Sequence, residues 1–471
     1  MATIKKHTDH PTPKRARVSA QGLPVLQPDT AGIDIGATLV CVAVPPDRDA
    51  PSVRTFGTFT PDLQEVVQWL QQGRIRSVAM EATGVYWIPL FQILAAAGFE
   101  VCLVNPRHVK HVSGRKTDVS DCQWLQHLHA VGLLQASFRP ADAICALRTL
   151  HRHREHLVQQ AAEQIQLMQK SLDQMNLHLH HVLSDLAGVS GLRIVDALLA
   201  GERDPQALAQ LRDPRVQTDA EVLVAALTGD WRPEHLFTLQ QARQTFHHYQ
   251  TLLQACDAEL EAWLQRHAAP PRAEPPSSPG GPSPEPPRRR PKPHRNEPRL
   301  PTLDLRHELR QRFGVDLTAV PAFGISTVAA LYAELGADLR QAFPLSKRFA
   351  SWLAVCPDPR KSGGKVLRSQ TRDVQHRVAQ IFRQAAQSVY RSDNHLGRFY
   401  RRIRAKLGGP QAVTATAHKL ARIFYHMVTT QQEYDETLFE RCDQRQQAHH
   451  LASIRRQAKN LGFSLEPIQV T

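Results

Sequence analysis

Acidic residues are in short supply in this 471-residue chain: 44 Asp and Glu stand against 58 Lys and Arg, a formal net charge of +14. The pI is near 9.7. Cysteine is also sparse. The seven cysteines, at 41, 102, 122, 145, 256, 356 and 442, include no CxxC pair. That excludes a disulfide scaffold and the usual zinc ribbons and fingers, and suits reduced, mostly buried thiols. No apolar run approaches the roughly 18 residues of a membrane span. The opening "MATIKKHTDHPTPKRARVSAQG" is too polar for a secretory signal and reads as a disordered basic tail over residues 1–29. Its "PKRAR" imitates a nuclear-localisation patch, but solvation accounts for it. What the chain has instead is positive charge spread along its length, which suits a polyanion such as nucleic acid.

Order is expected from about residue 30. "AGIDIGATLVCVAVPP" is β-rich with a bend at Gly36, and "SVRTFGTFT" supplies a third strand. "PDLQEVVQWLQQ" reads as a helix with Pro61 near its start. "IRSVAMEATG" is a strand ending at Glu81, "VYWIPLFQILAAAG" a helix stopped by Gly98, and "FEVCLVNP" another strand. Asp118 opens the next helix. The order β-β-β-α-β-α-β-α over residues 30–140 is that of a ribonuclease H-like, or RuvC-like, α/β domain.

Residues 141–267 change to long helices. "LRTLHRHREHLVQQAAEQIQLMQKSLDQMNLHLHHVLSDL" has apolar residues at three- and four-residue intervals and no Pro or Gly, which predicts a long coiled-coil or bundle arm. Its histidines (His151, His153, His156, His178, His180 and His181) match no zinc-ligand motif and read as a solvated or nucleic-acid-facing surface. Residues 268–301 form a Pro-rich linker, where proline fixes φ and removes donors. Residues 302–440 are expected to be a mostly helical, cationic domain with one irregular Ser-Gly-Gly loop before a basic helix. Residues 441–471 are a C-terminal tail.

Four carboxylates stand out. Asp34 lies on the first strand, Glu81 ends the fourth, and Asp118 and Asp121 share one face of the later helix. In a ribonuclease H fold the two acid-bearing strands are neighbours and that helix packs beside them, so the four converge. Such a cluster repels itself unless a cation compensates it. A hard divalent ion, Mg²⁺ or Mn²⁺, takes oxygen ligands and bridges to a substrate phosphate. Arg115 and Lys116 then lie where they could guide a DNA backbone. Taken singly, Asp34 could be a strand-end turn residue and Asp118 an N-cap. "GIDIG" also occurs in the first phosphate loop of actin-like ATPases, but no second phosphate motif accompanies it.

The chain resembles the DEDD-type transposases of the insertion sequence 110 family. The resemblance rests on "GIDIG", "MEATGVYW", "NPRHVKHVSGRKTDVSDCQWLQHLHAVGLLQASFRP", "MNLHLHHVLSDLAGVSGLRIVDALLAGERDP", "PEHLFTLQQA", "FASWLAVCPDPRKSGGKVLRSQTR" and "YRRIRAKLGGPQAVTATAHKLARIFYHMV". It covers roughly residues 30–267 and 302–430. Where the family commonly has Pro-Gly at a hairpin turn, this chain has Pro321-Ala322-Phe323-Gly324. The resemblance implies that Asp34, Glu81, Asp118 and Asp121 form the RuvC-like acid set. It also implies that Ser362, in "KSGGK" of a C-terminal transposase domain, is a nucleophile forming a covalent phosphoserine link to DNA. It further implies a structured guide RNA from the element, homodimers or homotetramers with shared sites, and a bacterial, cytoplasmic, nucleoid-associated protein with no membrane partner.

The residues around Ser362 suit that role. Gly363 and Gly364 let backbone approach a phosphate closely, and Lys361, Lys365 and Arg368 can bind neighbouring phosphates. From the loop alone, Ser362 is an ordinary turn serine. Two other functions compete: a metal-dependent, Holliday-junction-resolvase-like endonuclease that makes no covalent intermediate, and a nucleic-acid-binding protein with a degenerate site. Intact acids at all four positions argue against the latter.

Overall fold

A computed structural model describes residues 23–106, 118–268, 295–372, 374 and 376–464. The chain divides into two compact units, Met1–Arg139 and Pro140–Thr471.

The first unit is built on a five-stranded mixed sheet. Its strands are β1 (Thr30–Ile35), β2 (Leu39–Ala43), β3 (Val53–Gly57), β4 (Ser77–Glu81) and β5 (Glu100–Val104), in the order β3-β2-β1-β4-β5. The β1–β2 and β2–β3 pairs are antiparallel, and β1–β4 and β4–β5 parallel. Gly36 sits in the β1–β2 turn, where its N–H donates to Leu39 O at 2.9 Å. Helix α1 (Thr60–Gln72) has Pro61 in its first turn, and the Asp62 carboxylate accepts the Phe59 N–H at 3.0 Å. It buries Leu63, Val66, Trp69 and Leu70, the stripe that helical spacing predicts.

Helix α2 (Trp87–Ala96) joins α1 on one face of the sheet. There Ala31, Ile33, Val42, Val78 and Met80 meet Leu70, Leu90 and Leu94. Helix α3 (Asp118–Ala130) covers the opposite face. This three-layer arrangement agrees with the ribonuclease H-like order expected for residues 30–140. Chain order starts slightly earlier than residue 30. Leu26 and Gln27 donate to Ala130 O, and Asp29 pairs with Arg48 at 2.6 Å. The expected tail before residue 23 lies outside the described residues.

In the second unit, helices α4 (Asp142–Gln174) and α5 (Pro233–Arg266) run antiparallel. Arg154 meets Asp257, Tyr249 meets Gln160, and Ser171 meets Thr238, so the partner numbers fall as the others rise. Four shorter helices between them pack into a cap whose core includes Met168, Leu172, Ile194, Leu198, Leu208 and Leu239. Within the stretch read as a coiled-coil or bundle arm, the first long helix ends at Gln174. Asn176 adopts a left-handed conformation (φ 56°), and a short helix follows at Leu179–Val182. Asparagine tolerates that conformation without glycine, so the break has no strong sequence signal.

The last residues of the Pro-rich stretch are strapped onto α5. Asp257 accepts the Arg299 N–H at 2.9 Å, and Glu261 accepts the N–H groups of Thr302 and Leu303 at 2.7 and 3.0 Å. Beyond this strap lie α6 (Ile325–Leu335), α7 (Arg377–Ser388), α8 (His395–Leu407), α9 (Gly409–Thr430) and α10 (Thr437–Asn460). The α10 helix runs across the boundary expected at residue 440. Phe313, Phe349, Phe382 and Phe424 form an aromatic core among these helices. Glu334, only 4% exposed, accepts from Nε and Nη2 of Arg152 at 2.7 Å each, and Arg377 approaches it at 3.2 Å. In place of the expected irregular loop there is a β-hairpin, β6 (Pro357–Ser362) and β7 (Lys365–Thr371). Among the described residues no helix is long and apolar enough to cross a membrane.

The Arg154–Asp257 pair, at 2.5 Å with both side chains 7% exposed, anchors both the helix pair and the strap. Replacing Asp257 with alanine leaves the buried Arg154 guanidinium without its counter-charge, with only the Asn296 carbonyl still accepting from it, and the Arg299 amide without its acceptor. The expected cost is about 3–5 kcal/mol, read as a lower urea midpoint by circular dichroism. An unchanged midpoint would show that the pair does not hold the second unit together.

Candidate active site

Side chains alternate across a strand, and the first unit uses that alternation to sort its residues. Ala31, Ile33 and Ile35 of β1 point into the apolar layer beneath α1 and α2. Gly32 and Asp34 therefore face α3. The same logic puts Cys41 and Ala43 of β2, and Ser77, Ala79 and Glu81 of β4, on the α3 face.

Asp34 is level with Cys41 on β2. On the other side Ile33 pairs with Met80, so Asp34 and Glu81, each one residue further, come level at the ends of adjacent parallel strands. Both are half-buried.

Helix α3 lies against β1 with backbone almost touching backbone. A Cβ on Gly32 would fall 2.2 Å from the Cys122 carbonyl oxygen and 2.3 Å from the Gln126 nitrogen. Further along, the Gln126 side-chain amide donates to Thr30 O at 3.4 Å, and His129 Nε2 lies 2.8 Å from Ser77 Oγ. The helix thus runs antiparallel to β1, with its His129 end at the start of the sheet and its Asp118 end toward Asp34. Asp121, half-buried, precedes Cys122, and Asp118 stands one turn before Cys122. The Cys122 and Cys41 sulfurs are 3.3 Å apart. Burial, then the contact with Cys41 and the nearby Asp34 charge, pushes the Cys122 thiol well above its ordinary range.

Ser362 sits in the second unit, at the tip of the β6–β7 hairpin. It pairs with Lys365 across a two-residue turn, with Gly363 (φ 55°) and Gly364 (φ 76°) both in the left-handed region. Two consecutive positive φ angles define the tight primed turn that favours Gly-Gly. Arg360 pairs with Arg368 but Lys361 with Val366, so Leu367 is the extra residue of a β-bulge. Ser362, Lys361, Lys365 and Arg368 are all exposed. A groove of about 1570 Å³ opens at the hairpin base, where Pro357, Ser369 and Thr371 face Arg340, Lys419 and Arg422.

The family model for the DEDD transposase of IS110, described as Transposase, matches residues 31–177, and the model described as Transposase IS116/IS110/IS902 family matches residues 316–401. The chain belongs to the IS110 family of transposases. No curated protein matches it.

The two matched stretches contain the acid-bearing sheet and the serine-bearing hairpin of the transposase. Arg115 and Lys116 lie outside the described residues. Within the acid set, Asp34 and Glu81 stand level on adjacent strands, and Asp121 lies in the first turn of α3; the Asp118 side chain lies outside the described residues. The donors there are carboxylate oxygens, which fit a hard divalent ion such as Mg²⁺ or Mn²⁺. The adjacent Cys41 and Cys122 sulfurs face each other. Two features escape motif reading. Gly32 is the close-approach position, although only Gly36 stands at an obvious turn. Away from the acids, Asp173, His180 and His181 gather at the end of α4; their only signal is an Asp followed by two His across a chain reversal.

If the acids act together, Asp34→Asn and Glu81→Gln should each lower metal-dependent strand cleavage roughly a hundredfold or more while leaving DNA binding intact. Cleavage assays beside gel-shift measurements on the same preparations check this. Full activity in either variant would remove that residue from the site.

Proposed function

We propose that this transposase cleaves and rejoins DNA strands at specific sites through a covalent phosphoserine intermediate formed by Ser362. Asp34, Glu81, Asp118 and Asp121 act as the metal-holding acids. A structured RNA of the element guides the reaction, and homodimers or homotetramers carry it out. The observation that carries this reading is the level placement of Asp34 and Glu81 on adjacent strands, with α3 pinned over them at Gly32. A structural role for either acid would not require both to stand at the same end of the same face.

Ser362 suits attack because a two-residue hairpin turn projects it beyond the helical body, and its glycine neighbours add no side chain to obstruct a phosphodiester. Its Oγ gives up a proton and bonds to phosphorus as the bond from phosphorus to the departing deoxyribose oxygen breaks. That oxygen leaves as a hydroxyl. Rejoining is the reverse attack, and the retained phosphoester removes any need for ATP. Lys361, Lys365 and Arg368 line the hairpin and would hold flanking phosphates, and Arg340, Lys419 and Arg422 extend the positive track along the groove. Gly363 and Gly364 would admit the DNA backbone. A hard divalent ion held by the four acids would neutralise charge building on the attacking and leaving oxygens. Arg115 and Lys116, just before α3, would steer the DNA strand toward the acids. The α4–α5 pair is proposed as the coiled-coil arm that contacts RNA or a second copy.

Purified protein with the element's RNA, incubated with end-labelled junction DNA and Mg²⁺, tests the chemistry on a denaturing gel. A protein-sized adduct is expected in the native protein and not in Ser362→Ala. Cleaved DNA without an adduct, unchanged in Ser362→Ala, would identify a hydrolytic nuclease and remove the serine from the mechanism.

A further inference from the structure

The histidine-rich end of α4 carries chemistry that DNA cleavage does not use. Asp173 lies in the last turn of α4, the chain reverses at Asn176, and the following short helix presents His180 and His181 back toward it. His180 Nε2 is 3.6 Å from one Asp173 carboxylate oxygen, and His181 Nε2 is 3.8 Å from the other. His178 Nδ1 lies 3.9 Å from the same carboxylate, while its Nε2 meets Asn176 Oδ1 at 3.0 Å. One ligand atom from each of Asp173, His180 and His181 falls within 4.8 Å of the others.

These separations are too long for hydrogen bonds, which run at about 2.7–3.2 Å. They are close to the spacing between neighbouring ligands around one ion, since bonds of about 2.0–2.2 Å put tetrahedral ligand atoms roughly 3.3–3.6 Å apart. We propose that Asp173, His180 and His181 form a binding site for a divalent transition ion of the zinc class, with His178 beside it as a further donor.

The ligand chemistry selects the ion. Two imidazoles and one carboxylate suit Zn²⁺, Co²⁺ or Ni²⁺, whereas Mg²⁺ prefers oxygen alone. This separates the site from the carboxylate-rich set in the first unit. His180 supplies a second observation. Its Nδ1 is buried and, among the described residues, makes no hydrogen bond, while its Nε2 lies beyond hydrogen-bond reach of Asp173. The ion would have a structural role, tying the last turn of α4 to the helix beyond the reversal and fixing the cap of the arm.

Full-length protein stripped with a chelator and titrated with Co²⁺ tests this, with Zn²⁺ competition giving the affinity. One equivalent producing visible d–d absorption is expected, displaced by Zn²⁺. Asp173→Asn and His181→Gln should each weaken binding at least roughly tenfold, and Asp34→Asn should leave it unchanged. His181 is 62% exposed, so His181→Gln should keep the native circular dichroism. Binding equal to that of the native protein in both variants, or no saturable Co²⁺ binding, would overturn the site. Loss in Asp34→Asn instead would assign the ion to the acids of the first unit.

Discussion

The seating of α3 on the sheet depends on the absence of one side chain. At Gly32 the backbone of α3 comes so close to β1 that even a methyl group would overlap a helix carbonyl. This contact sets the height of the helix above the sheet, and the Gln126–Thr30 and His129–Ser77 contacts set its direction. Residues 34, 81 and 118–121 are far apart in sequence. Asp34 and Glu81 come level because the sheet order makes β1 and β4 neighbours, and α3 lies close over them because nothing at Gly32 holds the helix away. The apolar layer on the other face, with Ile33, Met80 and Leu90 fully buried or nearly so, keeps the two acid-bearing strands in register.

The second unit is organised by buried charge more than the first. Arg154 and Asp257 lock α4 to α5, and Glu334 gathers arginines from α4 and α7. Such pairs add little net stability over apolar packing, because desolvation offsets the attraction. Their value is specificity. An apolar seam tolerates sliding by a helical turn, whereas a guanidinium with a single buried carboxylate is satisfied in one register only. Burial also drives His151 and His376 down to about 4, so these neighbours of Glu334 stay uncharged near neutral pH.

Much of the first unit was legible because its elements carry strong periodic signals. The strands around Ile33 and Met80 are nearly continuous apolar runs, and α1 shows its stripe. Asp34 and Glu81 could be read as site candidates because each interrupts or ends such a run. The second unit was less legible where local signals are weak. "PDPRKSGGKVLRSQT" holds two prolines and almost no alternation, so it read as a loop; yet the Gly-Gly turn and the bulge at Leu367 close it into a hairpin. The end of α4 was missed because Asn176 turns the chain without Pro or Gly. For the same reason the approach of Asp173 to His180 and His181 was invisible to spacing rules that assume ligands on one uninterrupted element.

The arginine cluster at Glu334 also has a mechanical consequence. Arg377 opens α7 only a few residues after β7, and it pairs with Glu334 and with Glu155 of α4. Helix α4 is thereby tied to the foot of the hairpin that bears Ser362. With α4 unbroken over 33 residues, that tie links the base of the hairpin to the far end of the α4–α5 pair through one continuous helix.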